Sequence, residues 1–236
     1  MPKEDRGGAS LLESYARLFD CVEINSSFYQ YHKDATYMRW RQAVGPKFGF
    51  TIKAHKDITH IHRMALNKAV LDSIEKMAGA CRACSAEVLV LQTPASFSYS
   101  KESILLAREL FANLHVPEVQ VAWETRGPSW GSPQARSDLA RVLSERGVTH
   151  AVDIFKEQPV HVEGFSYFRL HGLGKRIYDY KYSDEDLRRL AELALPYVKD
   201  GGYIFFNNFE MYDDARRFVE LLGRARLGHD GSIPSL

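Results

Sequence analysis

Short apolar runs that read as strands alternate with amphipathic stripes that read as helices along most of the 236 residues, and few folds accommodate that order. The first run, Cys21-Val22-Glu23-Ile24-Asn25, breaks at Ser26-Ser27. Runs at 48–53 and 87–92 flank a stripe of Leu66, Val70, Ile74, Met77 and Cys81, whose spacings of three and four predict a helix lying on a sheet. A helix through Ile104, Ala107, Phe111 and Leu114 precedes a strand at 119–123. A second, through Leu139, Val142 and Leu143, closes at Gly147 before a strand at 149–153. Strands at 167–170 and 203–206 enclose a helix that Ser183 and Asp186 open as a capping box and that Pro196 is expected to kink or end. The last helix holds Ala215, Phe218, Val219 and Leu222.

About seven parallel strands in a chain of this length predict an α/β fold of the TIM-like (β/α) barrel type rather than a doubly wound sheet. The G-x-G-x-x-G fingerprint is missing after the first strand, so a nucleotide cofactor is not expected and the identity of any cofactor stays open. The first barrel strand is also missing. Leu11, Leu12, Tyr15, Ala16, Leu18 and Phe19 already form a helical stripe, and the ten residues before it are too polar for a buried strand. The expected domain layout is a polar segment at 1–10, one barrel domain at 11–226 and a flexible tail at 227–236. A gap is expected between the strand at Val22 and the strand at Tyr203.

A formal charge of +1 argues against a generic electrostatic grip on duplex nucleic acid. No apolar run approaches the roughly 20 residues of a membrane span, and the start lacks a signal-peptide core, so a cytoplasmic location is expected. Three cysteines suit a reducing compartment, with Cys81 and Cys84 expected as half-buried thiols at a helix end.

In such a barrel the chemistry sits at the carboxyl ends of the strands. Here those ends carry Glu23 and Asn25, Lys53 and His55, Gln92, Glu124 and Arg126, Asp153, Arg169 and His171, and Asn207 and Asn208. Period two puts each spaced pair on one face. Such repetition predicts a shared pocket, with Glu23, Glu124 and His171 as acid–base candidates. Asn25, Tyr29, Lys53, His60, Gln92, Arg126, Trp130, Asp153, Arg169, Tyr178, Asn207 and Asn208 are the substrate contacts. A carboxylate among aromatics can have its proton affinity raised toward working pH, with an imidazole as partner. Arg126 and Arg169 either hold an anionic group or pair internally with Glu124 and Asp153. H-E-x-x-H is absent and no metal ligand is assigned. The segment 175–182, with Tyr178, Tyr180 and Tyr182, is the candidate lid, its tyrosines not expected to be buried together.

Val22-Glu23-Ile24-Asn25-Ser26-Ser27-Phe28-Tyr29, Phe50-x-x-Lys53 with Ile58-Thr59-His60, Leu91-Gln92-x-Pro94, Trp123-Glu124-x-Arg126 with Ser129-Trp130, Arg169-Leu170-His171-Gly172 and Phe206-Asn207-Asn208 follow one another in the order of the YecE-like family, domain of unknown function 72, which this chain resembles from about Leu11 to Leu222. The resemblance implies an eight-stranded barrel related in shape to sugar isomerases and endonuclease IV, without an established reaction. It also implies pocket roles for Glu23, Asn25, Lys53, His60, Gln92, Glu124, Arg126, Arg169, His171 and Asn207. Two departures stand out: the Gly-rich first strand of the family is absent, and Gly127 stands where many members carry histidine. The chain is therefore expected to be truncated or to close its barrel with a partner or second copy.

The leading expectation is an enzyme using acid–base chemistry on a small polar substrate, sugar-like or phosphorylated. The alternatives are a nucleic-acid binder or metal-dependent nuclease of the endonuclease IV type, and a non-catalytic barrel acting through complex formation.

Overall fold

The computed structural model describes residues 10–174, 176 and 178–226, so the segments expected as a polar start and a flexible tail lie almost wholly outside the described residues. Among the described residues seven strands run in chain order: β1 (Cys21–Ile24), β2 (Gly49–Lys53), β3 (Val88–Gln92), β4 (Gln120–Glu124), β5 (Val148–His150), β6 (Ser166–Leu170) and β7 (Gly202–Phe206). The helices are α1 (Leu11–Ala16), α2 (Asp34–Ala43), α3 (Lys68–Cys84), α4 (Lys101–Asn113), α5 (Pro133–Arg146), α6 (Asp184–Ala194) and α7 (Met211–Arg226).

Pairing is parallel throughout, but it does not make the single curved sheet of about seven strands that the alternation predicts. β1 to β5 form a five-stranded sheet in sequence order, while β6 and β7 form a separate pair. The isolated bridge Val152 to Phe168 carries the chain between them, because β5 ends after three residues instead of running on to Asp153. Among the described residues the cylinder is not closed. β1 and β7 are both outer strands, and an apolar groove of about 1110 Å³ lies between them, lined by Leu11, Tyr15, Phe19, Ile204, Phe206 and Phe218 among others. The gap expected between Val22 and Tyr203 is therefore present in the described residues.

Local sequence explains most boundaries. Ser10 and Glu13 form a reciprocal capping box on α1, and Ser183 and Asp186 do the same for α6. The Asn67 side chain caps α3, which ends at Ser85 in the left-handed region, φ 53°. Cys81 and Cys84 prove fully buried on the inner face of α3, and burial pushes both thiols up to about 12. The helix α2 escapes the periodic reading because Tyr37 is its one buried residue.

Register decides what shares a layer. Glu23 pairs with Thr51, Thr51 with Val88, and Lys53 with Val90, while Gln92 pairs with Glu124. Alternation then separates two faces. Leu89, Leu91 and Trp123 pack outward in a core shared with residues of α3, α4 and α5. Val88, Val90, Ala122, Tyr167 and Phe205 form a smaller apolar cluster on the other face. Residues of β6 and β7 share their own core with α6 and α7, centred on Phe168, Leu170, Leu187, Leu190 and Phe218. In-register parallel strands bring their carboxyl ends to one rim, where the candidate residues collect.

Candidate active site

The floor of the rim is a buried ionic cluster built around Arg169. From β6 its guanidinium donates through Nε and Nη2 to Glu23 of β1, at 2.9 and 2.7 Å, and through Nη1 to Glu124 of β4. All three groups are at most 8% exposed. Tyr167, two residues earlier on the same face of β6, donates its hydroxyl to Glu23 at 2.7 Å and contacts the Thr51 hydroxyl at 2.8 Å. Asn25 adds a hydrogen bond to Glu23.

Burial by itself would raise both carboxyls, yet the guanidinium of Arg169 outweighs it. Glu23 is held below its ordinary value, aided by Tyr167 and Asn25, and Glu124 well below, aided by His171 and Arg126. The expected upward shift of Glu124 is thus reversed: both floor carboxylates are ionised. Burial works against charge on Arg169 too, but Glu23 and Glu124 hold it firmly protonated. The choice left open for the two arginines resolves toward internal pairing, with Glu23 and Glu124 as the acids. Arg126 donates Nε to Glu124 at 2.7 Å, Nη2 to His171 Nε2 at 2.9 Å and Nη1 to the Tyr178 hydroxyl at 3.3 Å.

His171 Nε2 lies between a donor, Arg126 Nη2 at 2.9 Å, and an acceptor, Glu124 Oε1 at 3.3 Å. A guanidinium only donates, so the shorter contact puts the ring proton on Nδ1, whereas donation to Glu124 puts it on Nε2; in either form Nδ1 is buried with no hydrogen-bond partner among the described residues. Burial lowers the His171 pKa, with Arg126 and Arg169 in the same direction and Glu124 opposing, so the ring is neutral at pH 7. Asp153 accepts the backbone N–H of His171 at 3.1 Å and pairs with Lys156 at 3.1 Å, so it shapes the β6 exit. Beyond it, Gly172 takes φ +94°, where an added Cβ would lie 2.7 Å from Tyr180. Tyr178 itself adopts φ +75°, a conformation that costs a non-glycine residue about 1–3 kcal/mol.

Above the floor, Asn25, Lys53, His60, Arg126, Tyr178 and Asn207 are half-buried and form the rim. The buried hydroxyl of Ser27 lies 2.8 Å from the Ile24 carbonyl and 2.7 Å from that of Lys53, tying the ends of β1 and β2 together. Lys53 Nζ donates to Gln92 Oε1 at 2.8 Å and sits 4.1 Å above the Phe28 ring. His60 stands edge-on to the same ring at 4.8 Å, and burial, Lys53 and Arg126 depress its pKa. Asn207 Nδ2 is buried without a hydrogen-bond partner among the described residues.

Other candidates belong elsewhere. Trp130 is a core residue, 3% exposed, with its indole N–H on the Phe97 carbonyl. Asn208 is locked internally, donating to Tyr180 O at 2.7 Å and Asp214 Oδ2 at 2.6 Å. Tyr29 is 69% exposed and packs edge-on to Phe28. His55 leaves the shared face because β2 ends at Lys53, after which strand alternation no longer applies; it stacks on Tyr31 at 3.8 Å. In the expected lid, Tyr182 is fully buried and its hydroxyl accepts the Gly172 N–H at 2.8 Å, while Lys175 lies outside the described residues. Tyr167 was not anticipated at the site, although period two from Arg169 points to it. Among the described residues no group of three His, Cys, Asp or Glu side chains gathers as a metal-binding set, and no described helix is long and apolar enough to cross a membrane.

Gly127, at φ +102°, would place a Cβ 3.1 Å from the Ala95 carbonyl oxygen, so a histidine there requires a different local backbone. Comparisons with known proteins agree with the geometry. YecE of Escherichia coli K12, a UPF0759 protein, is 30% identical over 167 residues, 68% of this chain; the chain spans 57% of that relative's length. A DUF72 family protein of Enterococcus faecalis V583 superposes with a TM-score of 0.72 at 22% identity, covering 92% of this chain and 93% of the other. D-psicose 3-epimerase, solved in the presence of D-fructose, gives 0.62 at 12% identity, with 92% of each chain covered, which places this fold among barrel-like α/β proteins. With the family described as protein of unknown function DUF72 matching residues 2–235, the chain belongs to the DUF72 family.

Proposed function

We propose that this protein is an enzyme that moves a proton within a small, neutral, sugar-like substrate held at the carboxyl ends of its strands. The observation that carries the reading is the His171 ring: its Nε2 is engaged by Arg126 and Glu124, and its buried Nδ1, which carries the ring proton in the form that the shorter Arg126 contact supports, is left for a substrate oxygen. A neutral imidazole flanked by two guanidiniums is a good hydrogen-bond donor to an oxygen that gains negative charge. Glu23 and Glu124 balance the arginines and hold them in place, so their part is orientation and charge rather than proton exchange. The half-buried His60, kept unprotonated, and Lys53 supply bases at the rim. With both guanidiniums committed to carboxylates, a neutral polyol fits better than a phosphate. The barrel likeness to an epimerase is supporting analogy only.

The test is incubation with aldoses and ketoses in D2O, monitored by NMR for carbon-bound deuterium. Wash-in is expected for at least one substrate, reduced at least a hundredfold in His171→Gln with an unchanged far-UV spectrum. Absence of wash-in across the panel, together with no ligand-dependent rise in melting temperature, rejects the reading.

A further inference from the structure

Lys53 has surroundings unlike those of an ordinary site cation. Its hydrogen bond goes to the neutral amide of Gln92, and its other close neighbour is the face of Phe28. The carboxylates that would neutralise an ammonium are already gripped by Arg169 and Arg126. The backbone at Lys53 is held by Ser27, so the amine is presented from the end of a strand rather than from a loop. Half-burial leaves it reachable from the mouth.

From this geometry we propose that Lys53 is a nucleophile, forming a Schiff base with the carbonyl carbon of a small aldehyde or ketone. The proposal rests on the proton-transfer reading and names the substrate class more narrowly: a polyol that carries a free carbonyl. The free amine attacks the carbonyl carbon to give a carbinolamine. The former carbonyl oxygen then leaves as water, so that ammonium plus carbonyl yields iminium plus one water with no oxidant or reductant. The iminium draws electrons from the adjacent carbon, whose proton a rim base such as His60 removes; reprotonation and hydrolysis return the amine.

The groups facing the amine agree with this role. Burial and the charge of Arg169 lower the Lys53 pKa from 10.5 to about 8, with Arg126 adding to the effect and Glu23 and Glu124 opposing it. Near pH 7.5 the neutral fraction is then on the order of a hundredfold larger than for an ordinary lysine. The Phe28 face favours the ammonium, but burial and the two guanidiniums outweigh it. A lysine made nucleophilic by desolvation beside other cations is a general solution to carbonyl chemistry at neutral pH.

The experiment is reductive trapping of the intact protein with sodium cyanoborohydride and, separately, glyceraldehyde, dihydroxyacetone and pyruvate, followed by peptide mapping. Lys53 is expected to be alkylated at least tenfold faster than the exposed Lys68, with a midpoint near pH 8. Alkylation of Lys53 no faster than Lys68 with all three carbonyls overturns the proposal, and this outcome needs no variant. Lys53→Arg keeps the charge and removes the nucleophile, so deuterium wash-in is expected to vanish while the melting temperature changes little. Wash-in that persists in Lys53→Arg refutes the Schiff base while leaving the proton-transfer reading intact; wash-in absent from the unaltered protein, with no ligand-dependent rise in melting temperature, rejects that reading instead.

Discussion

The five-stranded sheet and the β6–β7 pair are held in different ways. β1 to β5 form a continuous hydrogen-bonded ladder, backed by one extended core that includes the α3 and α5 residues Met77, Cys81, Leu139 and Val142. The β6–β7 pair has its own core with α6 and α7, and among the described residues its backbone meets the larger sheet through one isolated bridge at Val152 and Phe168. On the inner side the two are joined by the apolar cluster of Val88, Val90, Ala122, Tyr167 and Phe205 and by polar contacts in which Arg169 and Tyr167 of β6 reach Glu23 on β1, Thr51 on β2 and Glu124 on β4. The candidate site is therefore also the polar part of the junction between the two pieces. A buried ion cluster is weak evidence for net stability, but removing one member leaves the others unpaired and is strongly destabilising.

The sharpest way to break the comparison is Arg169→Met, which strands two buried carboxylates. It is expected to lower stability by about 3–5 kcal/mol in urea unfolding. Restoring neutrality with Glu23→Gln and Glu124→Gln in the same chain should recover part of that loss. A loss below 1 kcal/mol for Arg169→Met, on the order of an exposed pair, would show that the two pieces are held by their apolar cores alone.

Acid probes the larger sheet. Burial, assisted by Arg136 and opposed by Glu124, lowers the pKa of His150 in β5 from 6.5 to about 3. The unfolded chain binds a proton that the folded chain refuses, so this contribution is complete above pH 6.5 and is lost as pH falls toward 3. The loss by pH 4.5 is about 2–3 kcal/mol, at roughly 1.4 kcal/mol per unit once the unfolded histidine is protonated. His171 is depressed in the same sense and adds to it. Below 4.5 the depressed Glu23 and Glu124 begin to lose their contribution as well. Urea titrations between pH 7.5 and 4.5 measure the slope, and His150→Phe should flatten it. The smallest effect belongs to Tyr167→Phe, which removes a hydroxyl from Glu23 and Thr51 while keeping the ring packed against Phe205. About 1–2 kcal/mol is expected in the same assay.

Residue patterns made the strand positions legible to within a residue or two for β2, β3, β4, β6 and β7, because buried parallel strands are short apolar runs with abrupt ends. They also made the pocket legible as a set, since Glu23, Lys53, Gln92, Glu124, Arg169 and His171 all stand at strand ends. Three kinds of information were not in them. His55 looked equivalent to Lys53 because alternation continues in the sequence after the strand has ended in space. Trp130 looked like a substrate contact and Tyr182 like part of an exposed lid because a loop position says nothing about what the loop folds against. The helix α2 was illegible because a surface helix with one buried side chain has no stripe.

The local order of apolar and polar side chains determined, unaided, that this chain would make parallel strands with helices between them and gather its ionisable groups at one rim. Periodicity is a property of neighbours in the chain, and it dictates local conformation and facing directly. Which acid each arginine meets, that Glu124 is driven below rather than above its ordinary value, that Lys53 keeps a neutral partner, and that β6 and β7 stand apart from the main sheet were decided only in three dimensions. Charge pairing and burial depend on distances between residues as far apart as Glu23 and Arg169, and those distances exist only once the strands have taken their places.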